Sequence, residues 1–131
     1  DTVKFQDYLK EIIAEFKESG IRTSLFVDTK IDMIEGAKLC GVDRVELYTE
    51  EYATQYIEDK KLAITPYILA AKKATELGIG INAGHDLSLE NLEYFAQHIP
   101  NLAEVSIGHA LISDALYLGL ENSIQMYKRL L

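Results

Sequence analysis

Two Gly-His pairs carry the chemistry most open to a titrating, phosphate-binding site. One lies in Gly80-Ile81-Asn82-Ala83-Gly84-His85-Asp86-Leu87-Ser88, the other in Val105-Ser106-Ile107-Gly108-His109-Ala110. In each, a short apolar run ends in glycine and histidine. Histidine changes charge near neutral pH and so serves as general acid or base. Glycine lets an anion come close to main-chain N–H groups. His85, next to Asp86, is therefore a candidate acid–base group; the competing reading is an exposed histidine in a helix-capping turn. Gly108-His109, shortly before Ile112-Ser113-Asp114, which is expected to open the C-terminal helix, is a candidate phosphate cradle, with an ordinary tight turn as the competing reading. Glu46 is the third candidate. It sits mid-strand between Val45 and Leu47, where an unpaired carboxylate costs several kcal/mol unless it is paired or protonated. An ion pair with Arg22 or Arg44 would be the structural explanation of it. Asp28 at a strand end and Asn82 within a strand are weaker candidates. Tyr48, Tyr52 and Tyr56 read as packing or subunit contacts.

These residues need elements to hold them. Phe5, Tyr8, Leu9, Ile12 and Phe16 recur at helical spacing and Gly20 closes the run. A strand follows from Ile21 to Asp28, then a helix marked by Met33, Ile34, Ala37 and Cys40 and ended by Gly41. Asp43 to Thr49 is the next strand, and an acidic connection runs from Glu50 to Leu62. Thr65-Pro66 predicts a helix start with proline in the first turn, and Tyr67, Ala70, Ala71, Ala74 and Leu77 form its apolar face. Ile79 to Ala83 is a strand, Ser88 a helix N-cap ahead of Leu89, Leu92 and Phe95 or Ala96, and Pro100-Asn101 a stop. Ala103 to Ile107 is the last strand. Leu116, Leu120, Ile124, Tyr127 and Leu131 predict one long C-terminal helix.

Strands alternating with helices imply a parallel sheet with right-handed crossovers. Two architectures fit: an open doubly wound sheet, or part of a (β/α)8 barrel. The strands favour the barrel. Leu25 and Val27, Val45 and Leu47, Ile79 and Ile81, Val105 and Ile107 share an aliphatic face. Opposite them lie Ser24, Phe26 and Asp28, Glu46 and Tyr48, Gly80, Asn82 and Gly84, Ser106 and Gly108. A doubly wound sheet is covered on both faces and should be aliphatic on both; a lumen that serves as an active site can be polar. A complete barrel takes roughly 250 residues, so 131 residues amount to about half of one. Opening on a helix at Asp1-Thr2-Val3 is likewise expected of the rear portion of a longer chain.

Composition narrows the partners. A net charge of −8 disfavours nucleic acid and anionic membranes, yet leaves room for a phosphate pocket built from backbone N–H groups. One cysteine, Cys40, fits a reducing cytoplasm. No apolar run approaches the ~20 residues of a membrane span. The three histidines show no tight ligand spacing and there is no P-loop, so neither a metal nor a cofactor is expected.

In combination, Arg22-Thr23-Ser24-Leu25-Phe26-Val27-Asp28, Asp43-Arg44-Val45-Glu46-Leu47, Ile81-Asn82-Ala83-Gly84-His85-Asp86-Leu87 and Ser106-Ile107-Gly108-His109-Ala110-Leu111-Ile112 resemble the pyridoxine 5′-phosphate synthase family. The resemblance runs from about Ile21 to the C-terminus. It implies an α/β fold, a (β/α)8 TIM barrel of which this chain supplies the last four βα units. Residues 1–131 would be the C-terminal half of a single barrel domain, with 1–20 a helix preceding strand five and 21–131 strands five to eight. The family condenses 1-deoxy-D-xylulose 5-phosphate with 3-amino-2-oxopropyl phosphate, releasing phosphate and water. Carried over, His85 would be the proton donor and Glu46 the transition-state stabiliser. Asp86, Gly108 and His109 would bind the aminoketone phosphate, chiefly through main chain. Homo-oligomerisation, and a need for the N-terminal half with its proton acceptors, are also implied. One departure stands out: a His-Thr-Gly run of the family reads Tyr48-Thr49-Glu50 here, so a locally rebuilt loop is expected. The readings that compete are a non-catalytic α/β small-molecule-binding domain with an open sheet, and another phosphate-binding barrel enzyme.

Overall fold

Four short strands pair in the order in which they occur. In the computed structural model, which describes all 131 residues, β1 (Ser24–Val27), β2 (Arg44–Leu47), β3 (Gly80–Ala83) and β4 (Leu102–Val105) form one parallel sheet of order β1-β2-β3-β4. With right-handed crossovers, a sheet that never reverses its strand order must carry all its crossover helices on one face. A doubly wound sheet requires a reversal, and this one has none. The chain is thus an α/β unit with a parallel four-stranded sheet and no doubly wound reversal, an order consistent with part of a barrel.

The register decides which side chains share a face. Leu25, Val45, Ile81 and Leu102 align across the sheet, as do Val27, Leu47, Ala83 and Val105. The helices cover these rows: Val45, Leu47, Ile81 and Ala83 are fully buried. The opposite rows begin Ser24, Arg44, Gly80 and continue Phe26, Glu46, Asn82, Glu104. An irregularity between β3 and β4 inserts Ala103, so that Leu102 faces the helices while Glu104 still falls beside Asn82.

The helices are α1 (Gln6–Glu18), α2 (Ile31–Cys40), α3 (Glu50–Tyr56), α4 (Lys60–Glu76), α5 (Leu92–His98), α6 (His109–Leu118) and α7 (Leu120–Lys128). Three differ from the sequence expectation. The helix expected to start at Thr65-Pro66 starts at Lys60, where Asp59 Oδ1 accepts from the Lys61 and Leu62 N–H groups, and Pro66 lies inside it. Proline there frees the Leu62 carbonyl on an exposed side of the helix, a cost that burial of Ile64, Tyr67, Ala70 and Ala71 offsets. Regular helix after Ser88 begins only at Leu92, although Ser88 does cap the intervening turn: its Oγ accepts from Glu90 N–H and its own N–H donates to Asn91 Oδ1 at 2.8 Å. The single C-terminal helix is two helices broken at Gly119, whose φ of 82° favours glycine. Of the expected face, Tyr127 is buried, but Leu116, Leu120 and Leu131 are exposed.

An aromatic cluster fills the space behind β2 and β3. Tyr52 meets Phe95 at 4.9 Å and Tyr67 at 5.7 Å between ring centroids, edge to face. Their hydroxyls are satisfied. Tyr52 OH donates to the Asn91 carbonyl at 2.8 Å, and Tyr67 OH donates to the Tyr48 carbonyl at 2.9 Å. Burial pushes the Tyr67 phenol up to about 12. Both bonds end on backbone flanking the sheet's C-terminal edge, so the core holds the loops that carry the candidate site. Tyr52 is thus a packing residue, as expected, and the Tyr56 ring lies beside it at 5.4 Å, tilted by 58°.

Candidate active site

Glu46 occupies the polar row with Phe26 on one side and Asn82 on the other. The ion pair anticipated with Arg22 or Arg44 does not form. Both guanidinium groups go to Glu104: Arg22 Nη2 lies 3.2 Å from Glu104 Oε2, and Arg44 Nη1 bonds the same oxygen. Arg44 Nη1 also donates to Asn82 Oδ1 at 2.9 Å. Glu46 is left half-buried with no cationic partner in hydrogen-bonding contact. Burial first, then the Glu104 carboxylate, raise its pKa above the usual carboxylate value, and nearby His85 pulls it back. An Oε1 atom of Glu46 would stand 3.4 Å from a Cβ placed on Gly84. The glycine before His85 therefore lies directly against this carboxylate.

His85 and Asp86 sit in the turn just beyond β3. The His85 side chain is about half exposed, and its Nε2 lies 3.6 Å from Asp86 Oδ1, too long for a strong hydrogen bond. The Tyr48 ring flanks it at 5.8 Å, tilted by 47°. Asp86 is fixed from several directions. Its Oδ2 accepts from Thr49 Oγ1 at 3.2 Å, its N–H points to the same hydroxyl at 3.4 Å, and its carbonyl accepts from Asn91 Nδ2 at 3.3 Å. Thr49 is wholly buried, so this contact ties the β2 loop to the β3 loop. The loop that departs from the expected His-Thr-Gly run is closed locally: Tyr48 OH donates to Glu50 Oε2 at 2.6 Å.

Gly108 and His109 lie beyond β4, at the same end of the sheet, on the strand next to β3. Neighbouring strands run about 4.8 Å apart, so the two Gly-His turns are adjacent. Gly108 is the N-cap of α6 and His109 its first residue. The helix therefore starts at the histidine rather than at Ile112-Ser113-Asp114. The N–H groups of its first turn have no intrahelical acceptor and face outward at a partial positive charge. Gly108 has an ordinary negative φ of −110°, and a Cβ there would meet nothing within 4 Å. Packing within the chain therefore does not require glycine at 108, and the space beside it is open.

Two open cavities border the same mouth above β1 and β2. One, of 480 Å³, is lined by Asp28, Lys30, Tyr48, Glu50 and Tyr67 among others; the second, of 270 Å³, by Phe26, Asp28, Lys30 and Tyr48. Asp28 borders both and is held 3.8 Å from Lys30 Nζ. Asn82, a weak sequence candidate, is buried on the polar row with its Oδ1 engaged by Arg44.

Sequence reasoning missed Glu104 and Thr49. Glu104 shares its parity with Ser106 and Gly108, so alternation alone could have placed it on the polar face. Thr49 carries no such signal, because its contact with Asp86 spans 37 positions. The assembled groups make a mouth at the carboxyl ends of parallel strands, with a carboxylate of raised pKa, a half-exposed imidazole and a helix N-terminus. α/β enzymes built on parallel strands keep their chemistry at that end of the sheet.

The comparison with known proteins is specific. The family described as pyridoxal phosphate biosynthesis protein PdxJ matches residues 1–131, and the chain belongs to that family. It is 64% identical over 127 residues to the pyridoxine 5′-phosphate synthase of Flavobacterium johnsoniae, covering 97% of this chain and 54% of that protein. It is 63% identical over 131 residues to the Christiangramia forsetii pyridoxine 5′-phosphate synthase, covering 100% and 55%. With the enzyme of the same name from Cytophaga hutchinsonii it shares 60% over 129 residues, covering 98% and 54%. The chain spans about half the length of these relatives. No helix is long and apolar enough to cross a membrane.

Proposed function

We propose that this chain is the C-terminal half of a pyridoxine 5′-phosphate synthase barrel, strands five to eight, and that it acts together with the preceding half. The complete enzyme would condense 1-deoxy-D-xylulose 5-phosphate with 3-amino-2-oxopropyl phosphate, releasing phosphate and water. The observation that carries this reading is Glu46: a half-buried carboxylate in the polar row, without a cationic partner although two arginines share its face, and within electrostatic reach of His85.

On this reading His85 donates a proton to a departing oxygen from the exposed mouth. Glu46 accepts hydrogen bonds from, or stabilises positive charge on, the condensing aminoketone. A carboxylate held out of water acts more strongly on such charge than one in solvent. The phosphate of the aminoketone lies against Gly108, His109 and the N–H groups opening α6, with Asp86 contributing through main chain. Gly108, which nothing in the chain crowds, supports this placement. Asp86 N–H is weakly engaged by Thr49 Oγ1 at 3.4 Å, a bond long enough for a phosphate oxygen to displace. The proton acceptors and the sugar-phosphate pocket belong to the other half. Homo-oligomeric assembly of barrels and a cytoplasmic location are parts of the same proposal, as is the absence of nucleic-acid and membrane partners, in keeping with the net charge of −8.

The test is steady-state formation of pyridoxine 5′-phosphate by the complete enzyme carrying Glu46→Gln or His85→Asn. Each substitution should lower kcat by roughly 10²–10⁴-fold while leaving the folded state intact by circular dichroism. Ring closure at the wild-type rate in both variants would overturn the assignment.

A further inference from the structure

Arg44 reaches past its natural partner. It sits on the same strand and same face as Glu46, one repeat away, and Arg22 lies two residues ahead of the neighbouring strand. Either guanidinium could neutralise Glu46, and doing so would offset the cost of burying it. Instead the Arg44 side chain crosses β3 to Glu104 on β4, where Arg22 joins it from the segment ahead of β1. The crossing depends on Gly80. A Cβ on Gly80 would come within 2.8 Å of Arg44 Cγ and 3.3 Å of its Cδ, so a side chain there would displace the arginine stem. On its way Arg44 donates to Asn82 Oδ1. Because a guanidinium can only donate, this contact sets the amide with its Nδ2 group turned away from Arg44, and Nδ2 makes no hydrogen bond within the chain.

We infer that Arg22, Arg44 and Glu104 form a positioning network that withholds both arginines from Glu46 and fixes Asn82 as a hydrogen-bond donor beside it. The inference deepens the functional reading above and rests on it, in that Glu46 is taken as the reacting-site carboxylate. The network members are positioning residues; none of them is assigned contact with substrate.

Glu46 is faced by Arg44 and Tyr48 from its own strand. From β1 come Phe26, with Arg22 and Asp28 at its two ends. From β3 and its turn come Asn82, Gly84, His85 and Asp86, and from β4 comes Glu104. Two substitutions should move its titration in opposite directions. Glu104→Gln removes a repelling carboxylate and releases two guanidiniums, so Glu46 should titrate at lower pH. Arg44→Met keeps the stem but leaves Glu104 less compensated, so Glu46 should titrate at higher pH. Each shift should reach about one pH unit, a tenfold change in the ionisation equilibrium. Glu104→Asp, which keeps the charge, should restore the wild-type value.

The experiment is carboxyl ¹³C NMR titration of Glu46 in the complete enzyme, the resonance assigned with Glu46→Gln. Groups supplied by the rest of the protein are common to all variants and cancel in the differences. Opposite shifts with rescue by Glu104→Asp establish the network. An unchanged Glu46 titration in folded Glu104→Gln and Arg44→Met proteins overturns it. Should either variant fail to fold, Arg22→Gln, at an exposed position, replaces it, with a smaller upward shift expected and no shift counting against the network. The readout does not depend on turnover. Opposite shifts with an active Glu46→Gln enzyme would sink the catalytic role of Glu46 and keep the network; no shifts with an inactive Glu46→Gln enzyme would do the reverse.

Discussion

The two faces of one sheet obey different rules here. Toward the helices, Val45, Leu47, Ile81 and Ala83 are interchangeable in kind: each is aliphatic, each is buried, and none makes a directional contact. Toward the open side, one residue along on the same strands, the groups are individual. Glu46 lacks a partner, Asn82 is bonded through one atom, and Glu104 takes two arginines. The first face supplies stability, since burial rewards apolar area without regard to identity. The second carries charges whose placement, not whose area, matters. A third region, the amino-terminal edge of the sheet, is polar as well but serves stability. There Asp43 Oδ2 accepts from Thr23 N–H at 2.8 Å and from Thr23 Oγ1 at 3.0 Å, and Asp43 Oδ1 faces Lys17 at 3.1 Å.

Substitutions can separate these roles. Phe95→Ala, in the aromatic cluster behind the sheet, should have the largest effect, about 3–5 kcal/mol of stability read by urea unfolding of the complete protein. If it cost less than about 1 kcal/mol, the cluster would not be the support of the loops.

Asp43→Asn should cost about 1 kcal/mol at neutral pH. The Thr23 backbone N–H, ahead of Lys17, holds the Asp43 carboxyl below the usual carboxylate pKa. Its contribution is thus complete above the ordinary carboxylate range and fades as pH falls through the lowered folded value. The stability difference between wild type and Asp43→Asn should shrink on acidification, and a difference that persisted unchanged to low pH would argue against the charge-assisted bond.

Glu46→Gln should have the smallest effect on stability, and of opposite sign. The folded pKa of Glu46 is raised, so ionisation disfavours the folded state once pH exceeds the unfolded carboxylate value, and the whole penalty is present above the folded one. The variant should therefore be more stable than wild type at pH 7 by up to about 1 kcal/mol, since the half-exposed site screens part of the effect, with the gain vanishing below the ordinary carboxylate range. A loss of stability would place Glu46 with Asp43 as a structural carboxylate and erase the contrast between face and edge.

Much of the arrangement was legible in advance because it rests on short-range pattern. Alternation along each strand separated the aliphatic face from the polar one, and the glycines at 20, 41 and 78 marked helix ends where φ is positive. Both Gly-His turns fall at the carboxyl end of adjacent strands, as their common plan required. The errors came where local signals competed with distant packing. Thr65-Pro66 looks like a helix start, yet Asp59 caps the helix earlier because the buried face beginning at Ala63 rewards the extra turn. Gly119 interrupts a run whose apolar spacing alone predicts one helix.

By itself, then, the sequence determined the βα repeat, the polarity of each sheet face and the identity of the groups at the mouth, because periodicity and residue chemistry are local properties of the chain. Only the tertiary structure decided which of these groups are partners. Arg22, Arg44, Asn82 and Glu104 are brought together from three strands and the segment ahead of β1, across as many as 82 positions, and the Asp86–Thr49 contact spans 37. Opposite charges on one face are electrostatically equivalent in a list of residues. Strand order, the inserted Ala103 and the missing Cβ of Gly80 select the pairing with Glu104 and leave Glu46 alone.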